Sequence, residues 1–230
     1  REAMRLPPTV CAQFLRRDNR YRVTCLLDGQ EVAAHLSDPG RLRELLTPGR
    51  PLWLAPRDGA ARKTAYDVLL VDKDGVLVSV MPRLANDVLE EALAHGWLMG
   101  PRYPERRREV RLGASRIDLL LSGPSGRCWV EAKSCSLVEG RLALFPDAPT
   151  VRGRRHVMEL AEAVDQGDAA ALVFVIQRGD ADRLAPHREM DPGFDQALAE
   201  AQARGVGVHA LACDVSRGEI RVSREVPVVV

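Results

Sequence analysis

Residues 169–176, Ala-Ala-Ala-Leu-Val-Phe-Val-Ile, are an uninterrupted apolar run of eight. A membrane-spanning helix needs roughly 20 apolar residues, so this run, the longest kind the chain contains, reads instead as a buried strand. Residues 1–15 show no basic segment followed by an apolar core and a small-residue cleavage site, so no signal peptide is expected. The chain has 230 residues, 46% hydrophobic and 28% charged. That balance belongs to a globular protein of one or two domains and excludes disordered and collagen-like classes. Five cysteines, Cys11, Cys25, Cys128, Cys135 and Cys213, are odd in number and never in a C-x-x-C pair. They argue against a disulfide framework or cysteine zinc site, and a cytoplasmic location is expected.

The first 82 residues read as a compact β unit. Residues 20–27 and 30–36 flank Asp28-Gly29, a turn pair that tolerates the positive φ of a tight hairpin. A short helical piece is expected at 41–46, then strands at 51–55, 63–71 and 76–80. Five or so strands with one short helix after the third is the order of an OB-like Greek-key barrel, whose open face often binds oligonucleotides. A purely stabilising β-domain fits the same pattern.

From residue 83 to 230 helices and strands alternate, predicting a mixed α/β domain. Helices are expected at 86–95, with Asn86 as N-cap and Gly96 just past the end, at 156–164, and from Asp191-Pro192 to Gly205. Strands are expected at 116–122, 127–133, 170–177, 206–213 and 219–224.

The stretch that carries chemistry is Ser115-Arg116-Ile117-Asp118 and, after a turn at Gly123-Pro124-Ser125-Gly126, Val130-Glu131-Ala132-Lys133. Glu131 and Lys133 are two apart on one strand and share a face. A symmetric connection of two or four residues sets Asp118 opposite Glu131 across the hairpin. Like charges facing each other among Ile117, Leu119 and Val130 require compensation. Either one carboxyl is protonated, or a hard cation such as Mg²⁺ or Mn²⁺ sits between them. Lys133 on the same face then suits phosphodiester hydrolysis, in a D-(x)n-E-x-K arrangement. A structural ladder of ion pairs is the other reading of the same residues.

Of the 33 basic residues 30 are arginine, and Lys133 is the single lysine after residue 82. An ammonium differs chemically from an always-charged planar guanidinium, so its persistence there is informative. Against 32 acidic residues the net charge of +1 gives no global reason to bind nucleic acid, but the basic residues are clustered. Arg16, Arg17, Arg20 and Arg22 with Tyr21 form one group, Arg102, Arg106, Arg107, Arg108, Arg111 and Arg116 a second, and Arg152, Arg154, Arg155 and His156 a third. Such clusters predict salt-dependent, sequence-independent contact with a DNA phosphate backbone.

Over essentially its full length the chain resembles the sugar fermentation stimulation protein A family. The resemblance rests on residues 35–42 (His-Leu-Ser-Asp-Pro-Gly-Arg-Leu), 63–67 (Lys-Thr-Ala-Tyr-Asp), 115–118, 130–134 and above all 145–156 (Phe-Pro-Asp-Ala-Pro-Thr-Val-Arg-Gly-Arg-Arg-His). It implies an N-terminal OB-like domain (1–82), a restriction-endonuclease-like domain of the PD-(D/E)xK kind (83–230), non-specific DNA binding, and a regulatory link to sugar (maltose) metabolism. A Mg²⁺-dependent DNA nuclease is the alternative activity. Carried over, Asp118, Glu131 and Lys133 match the nuclease-type core, Glu91 the acidic position of the first helix, and Gln177 a polar position at the end of a later strand. Four positions depart from the family: Met81-Pro82 stands for Asp-Thr, Ala85 for proline, and Asp38 for asparagine.

Overall fold

The computed structural model describes residues 3–59 and 63–230. β1 (Met4–Arg5) lies apart from the strands that follow it and pairs with the far end of the chain. Next come β2 (Val10–Asn19), β3 (Arg22–Leu27), β4 (Gln30–His35), β5 (Pro51–Pro56), β6 (Tyr66–Lys73) and β7 (Val76–Ser79). They form a sheet in the order β4-β3-β2-β5-β6-β7. A parallel pairing of β4 with β6 (Ala34 with Tyr66, His35 with Asp67) joins its ends, closing five strands into the OB barrel. The barrel is filled by Val23, Leu36, Leu45, Leu52, Leu54, Val68 and Val78, all fully buried.

The Asp28-Gly29 hairpin forms as expected, with Asp28 and Gly29 both at positive φ. Residues 41–46 do not form a helix. They make a single turn in which Leu42 adopts φ 52°, a left-handed conformation that interrupts helical geometry. The Leu42 N–H is donated to the Asp147 carboxylate at 2.7 Å, a partner 105 residues away.

The second half comprises α1 (Leu84–Ala94), β8 (Glu105–Leu112), β9 (Ser115–Gly123), β10 (Gly126–Cys135), β11 (Leu137–Glu139), β12 (Leu142–Phe145), α2 (Val151–Asp165), β13 (Ala169–Ile176), β14 (Arg183–Pro186), α3 (Pro192–Ala203), β15 (Gly207–Val215) and β16 (Glu219–Val226). The main sheet runs β1-β16-β15-β13-β10-β9-β8, and β11, β12 and β14 form a small second sheet. Within the main sheet the parallel pairs are β10 with β13 and β13 with β15. The apolar run 169–176 is the central parallel strand, and both of its faces are covered. Leu172, Phe174 and Ile176 join a core with α2 and α3, while Val173 and Val175 join one with α1. That double coverage is why the run has no polar alternation. Phe145, Phe174 and Phe194 interlock with centroids 5.1–6.4 Å apart, each pair adding about 0.5–1.5 kcal/mol beyond area burial.

Two helix starts differ from expectation. α1 begins before Asn86, so Asn86 lies inside the helix and is not its N-cap. α2 begins at Val151, capped by Thr150, whose hydroxyl accepts the Gly153 N–H, so residues 152–156 form its first turns. The α3 start agrees with the sequence reading: the Asp191 carboxylate accepts the Phe194 N–H, with Pro192 following. The arginine-rich segment near residue 106 is β8, an edge strand, where Arg108 pairs with Asp87 and Glu90. All five cysteines are unpaired. Among the described residues no helix is long and apolar enough to cross a membrane.

Candidate functional site

Around the Pro124-Ser125 turn, β9 and β10 pair in register from Gly123↔Gly126 to Leu119↔Val130. The backbone ladder stops there, one step before Asp118 and Glu131, and the carboxylates take over. The Asp118 N–H donates to Glu131 Oε2 at 3.2 Å, and the Ala132 N–H donates to Asp118 Oδ2 at 2.9 Å. The Asn86 amide of α1 donates to Asp118 Oδ1 at 2.8 Å. Lys133, two residues along the strand from Glu131, donates to Glu131 Oε1 at 2.6 Å. His156 of α2 meets the same oxygen through Nδ1, and its Nε2 receives Arg152 Nε–H at 3.3 Å. These bonds assign the imidazole proton to Nδ1 and leave Nε2 as acceptor.

The two carboxyls are driven apart electrostatically. Burial, reinforced by the charge of Glu131, pushes Asp118 up to about 6. Burial alone would also raise Glu131, but the His156 hydrogen bond and the charge and hydrogen bond of Lys133 outweigh it and hold the group at about 2. Glu131 is therefore a buried anion beside an ammonium, while Asp118 takes up its proton at about pH 6. Two neighbouring acids with opposed shifts are a recurrent property of catalytic sites.

These groups lie at the floor of a cleft of about 390 Å³ between the two halves of the molecule. One wall is the segment 144–150 with Arg152 and His156 from α2; the opposite wall is Arg20 and Asp38-Pro39-Gly40 from the barrel. The walls are pinned by carboxylates. Asp38 Oδ1 accepts the Gly40 N–H at 2.8 Å, and Asp147 Oδ2 accepts the Leu42 N–H. Any larger residue at Gly40 would displace the carboxylates that pin the walls, because a Cβ would lie 2.9 Å from Asp147 Oδ2 and 3.0 Å from Asp38 Oδ1. Burial, followed by the nearby charge of Asp147, raises Asp38 to about 6.

Of the residues read from sequence, Asp118, Glu131 and Lys133 converge in this cleft and Glu91 does not. Glu91 lies further along α1 and lines a separate pocket with His95, Trp97 and Arg221. Asn86, earlier on the same helix, is the residue that reaches Asp118. Gln177 is fully buried behind the cleft, where its amide donates to Met81 O at 3.0 Å and to Ser134 Oγ at 2.8 Å. It joins the strand end to the crossing between the halves.

The expected DNA-contacting residues divide. Arg20 and Arg152 line the cleft. Arg16 is paired with Asp18 and Glu31. Arg17 donates to the carbonyls of Arg20, Asp38, Gly40 and Arg41 and is a clasp for the loop. Arg154 is paired with Asp191, and Arg155 donates to Ser115 Oγ. His156 is only 2% exposed, so it belongs to the floor of the site and not to a surface patch. Asn86 was the readable omission. Asparagine is a poor helix-interior residue, and its presence in an otherwise apolar-periodic segment signals a side chain with another task.

Residues 15–80 match the model of the SfsA N-terminal OB domain, and residues 83–219 that of the sugar fermentation stimulation protein RE domain. The chain is 47% identical over 223 residues to a sugar fermentation stimulation protein homolog of Moorella thermoacetica, covering 95% of each. It is 40% identical over 224 residues to the homolog of Desulforamulus reducens, covering 97% of this chain and 93% of that one. Among solved structures, that of Pyrococcus furiosus SfsA in complex with Ca²⁺ superposes with a TM-score of 0.92 at 31% identity, covering both chains fully. The chain belongs to the sugar fermentation stimulation protein family.

Proposed function

We propose that the cleft is a divalent-metal-dependent phosphodiesterase centre that acts on a nucleic-acid backbone. The observation that carries this is the convergence of Asp118, Glu131 and Lys133 at the cleft floor, with Asn86 and His156 orienting the two carboxylates. The donor set fits a hard cation: Mg²⁺ or Mn²⁺ takes one or two protein carboxylates and completes its shell with water and substrate phosphate, and no sulfur or imidazole ligand is needed. Asp118 and Glu131 would hold it. The Ca²⁺ bound by the Pyrococcus furiosus relative is a cation of the same hard class. When bound, the metal supplies Lewis-acid polarisation of the phosphate.

The protein's own groups supply the rest. In hydrolysis a water oxygen bonds to phosphorus, the P–O bond to the leaving oxygen breaks, and one water proton ends on that leaving oxygen. Lys133 sets a positive charge beside the phosphorane, and Arg152 and Arg20 bind flanking phosphates. The OB barrel forms the second wall and holds the backbone without reading sequence.

A second reading, a DNA-binding regulator without chemistry, is favoured by one observation: every oxygen of both carboxylates already has a protein donor. The test is cleavage of labelled DNA in Mg²⁺ or Mn²⁺ by wild type and by Glu131→Gln. Metal-dependent cleavage lost in the variant supports the enzyme; no cleavage by wild type in either metal overturns it and leaves the regulator.

A further inference from the structure

Three features of the cleft bear on which nucleic acid can enter it. The first is size and depth. The space of about 390 Å³ accommodates one small organic molecule, the bulk of about one nucleotide. The Glu131 side chain is 4% exposed and that of Lys133 14%, so a scissile phosphate must descend to the floor to reach them. A double helix brings a paired second strand with every phosphate, and a space of about 390 Å³ does not hold both.

The second is that the walls are fastened together. Arg178, 1% exposed at the seam, donates to Glu44 Oε1 of the barrel at 2.6 Å and to Ser136 O at 2.8 Å. Glu44 also receives the Val138 N–H at 2.9 Å. Leu42 is tied to Asp147, Gln177 to Met81, and the Arg217 guanidinium lies 4.0 Å from the Trp53 ring centroid. Opening the cleft further would break these contacts together.

The third is an exposed aromatic adjoining a residue of the cleft wall. Tyr21 is 47% exposed on the turn between β2 and β3, next to the cleft-lining Arg20. Its ring lies near that of His35, with centroids 6.3 Å apart and planes at 25°, and the Arg20 guanidinium lies 5.6 Å from its centroid. That guanidinium is hydrogen-bonded to no described residue. An exposed ring beside a cation that no described residue hydrogen-bonds is the arrangement by which OB folds stack an unpaired base and grip its phosphate.

We infer that the cleft accepts a single nucleic-acid strand, its phosphate beside Lys133 and Arg152 and a neighbouring unpaired base on Tyr21, and excludes blunt duplex. The inference rests on the reading of this site as a phosphodiester centre. Fluorescence anisotropy on the full chain would compare a labelled single-stranded DNA, the same sequence as RNA, and a blunt DNA duplex at one salt concentration in EDTA, with Mn²⁺ cleavage of each in parallel. At least one single strand is expected to bind ten or more times tighter than duplex. Tyr21→Ala is expected to weaken that binding by about 5- to 100-fold, with Tyr21→Phe restoring it. Duplex binding as tight as the single strands, or Tyr21→Ala without effect, overturns the inference. Single-strand preference without Mn²⁺ cleavage upholds it and refutes only the phosphodiesterase reading; cleavage with duplex preferred does the reverse.

Discussion

Asp118 and Glu131 are each held by the other's strand: each carboxylate accepts a backbone N–H from the opposite strand, Glu131 from Asp118 and Asp118 from Ala132. The acids thus replace the carbonyls that would have continued the ladder past Leu119 and Val130. Two like charges are tolerated in a buried hairpin because each is solvated by main-chain dipoles, and because Lys133 neutralises Glu131 while His156 hydrogen-bonds it.

Asn86→Ala removes the amide that holds Asp118 Oδ1. Groups that orient metal-binding carboxylates typically contribute 10–100-fold to affinity, and a loss of that size is expected for Mn²⁺ measured by calorimetry. Asp118 should titrate at still higher pH, because the Asn86 bond favours its ionised form. Unchanged Mn²⁺ affinity would show that Asn86 serves packing only.

Asp38→Asn tests the buried acid of the barrel wall. Its folded pKa of about 6 lies above the usual carboxylate value, so its contribution to stability is complete at low pH and is lost as pH rises through 6. Asparagine retains the acceptor for the Gly40 N–H and carries no charge. The variant should therefore be more stable by about 2 kcal/mol at pH 7–8, roughly 4–8 °C in Tm, with the gain vanishing toward pH 4. A gain that is constant from pH 4 to 8 would contradict this.

Arg178→Met should cost about 3–5 kcal/mol in urea unfolding, since it leaves Glu44 and Asp180 without their shared cation at a buried seam. A cost below about 1 kcal/mol would mean that the seam is wetter than its 1% exposure indicates.

Arg20→Ala and Arg152→Ala should each flatten the salt dependence of DNA binding by about one unit of logarithmic slope. Arg16→Ala, whose guanidinium is already paired with Asp18 and Glu31, should leave the slope unchanged. Equal effects from all three would return the binding surface to the outer barrel.

What could be read in the sequence was local. The β9–β10 register followed from one two-residue turn, and the start of α3 from Asp191-Pro192, because each depends on a few consecutive residues. What could not be read depends on partners far along the chain. Leu42 is bound to Asp147 and so forms no helix; Arg17 is spent on the carbonyls of residues 20 and 38–41, a role no count of arginines reveals. Glu91 and Asn86 share one helix, and only the packing of that helix decides that Asn86 points to the site.

The pairing of β1 with β16 makes the barrel an insertion within one sheet. The chain leaves that sheet after Arg5, builds the whole barrel, and re-enters the second half at α1, so the barrel hangs from two strands of backbone rather than one. A single proteolytic nick near Arg83 would not let the halves drift apart. The cleft wall would stay in register, suspended like a pendant from a double cord.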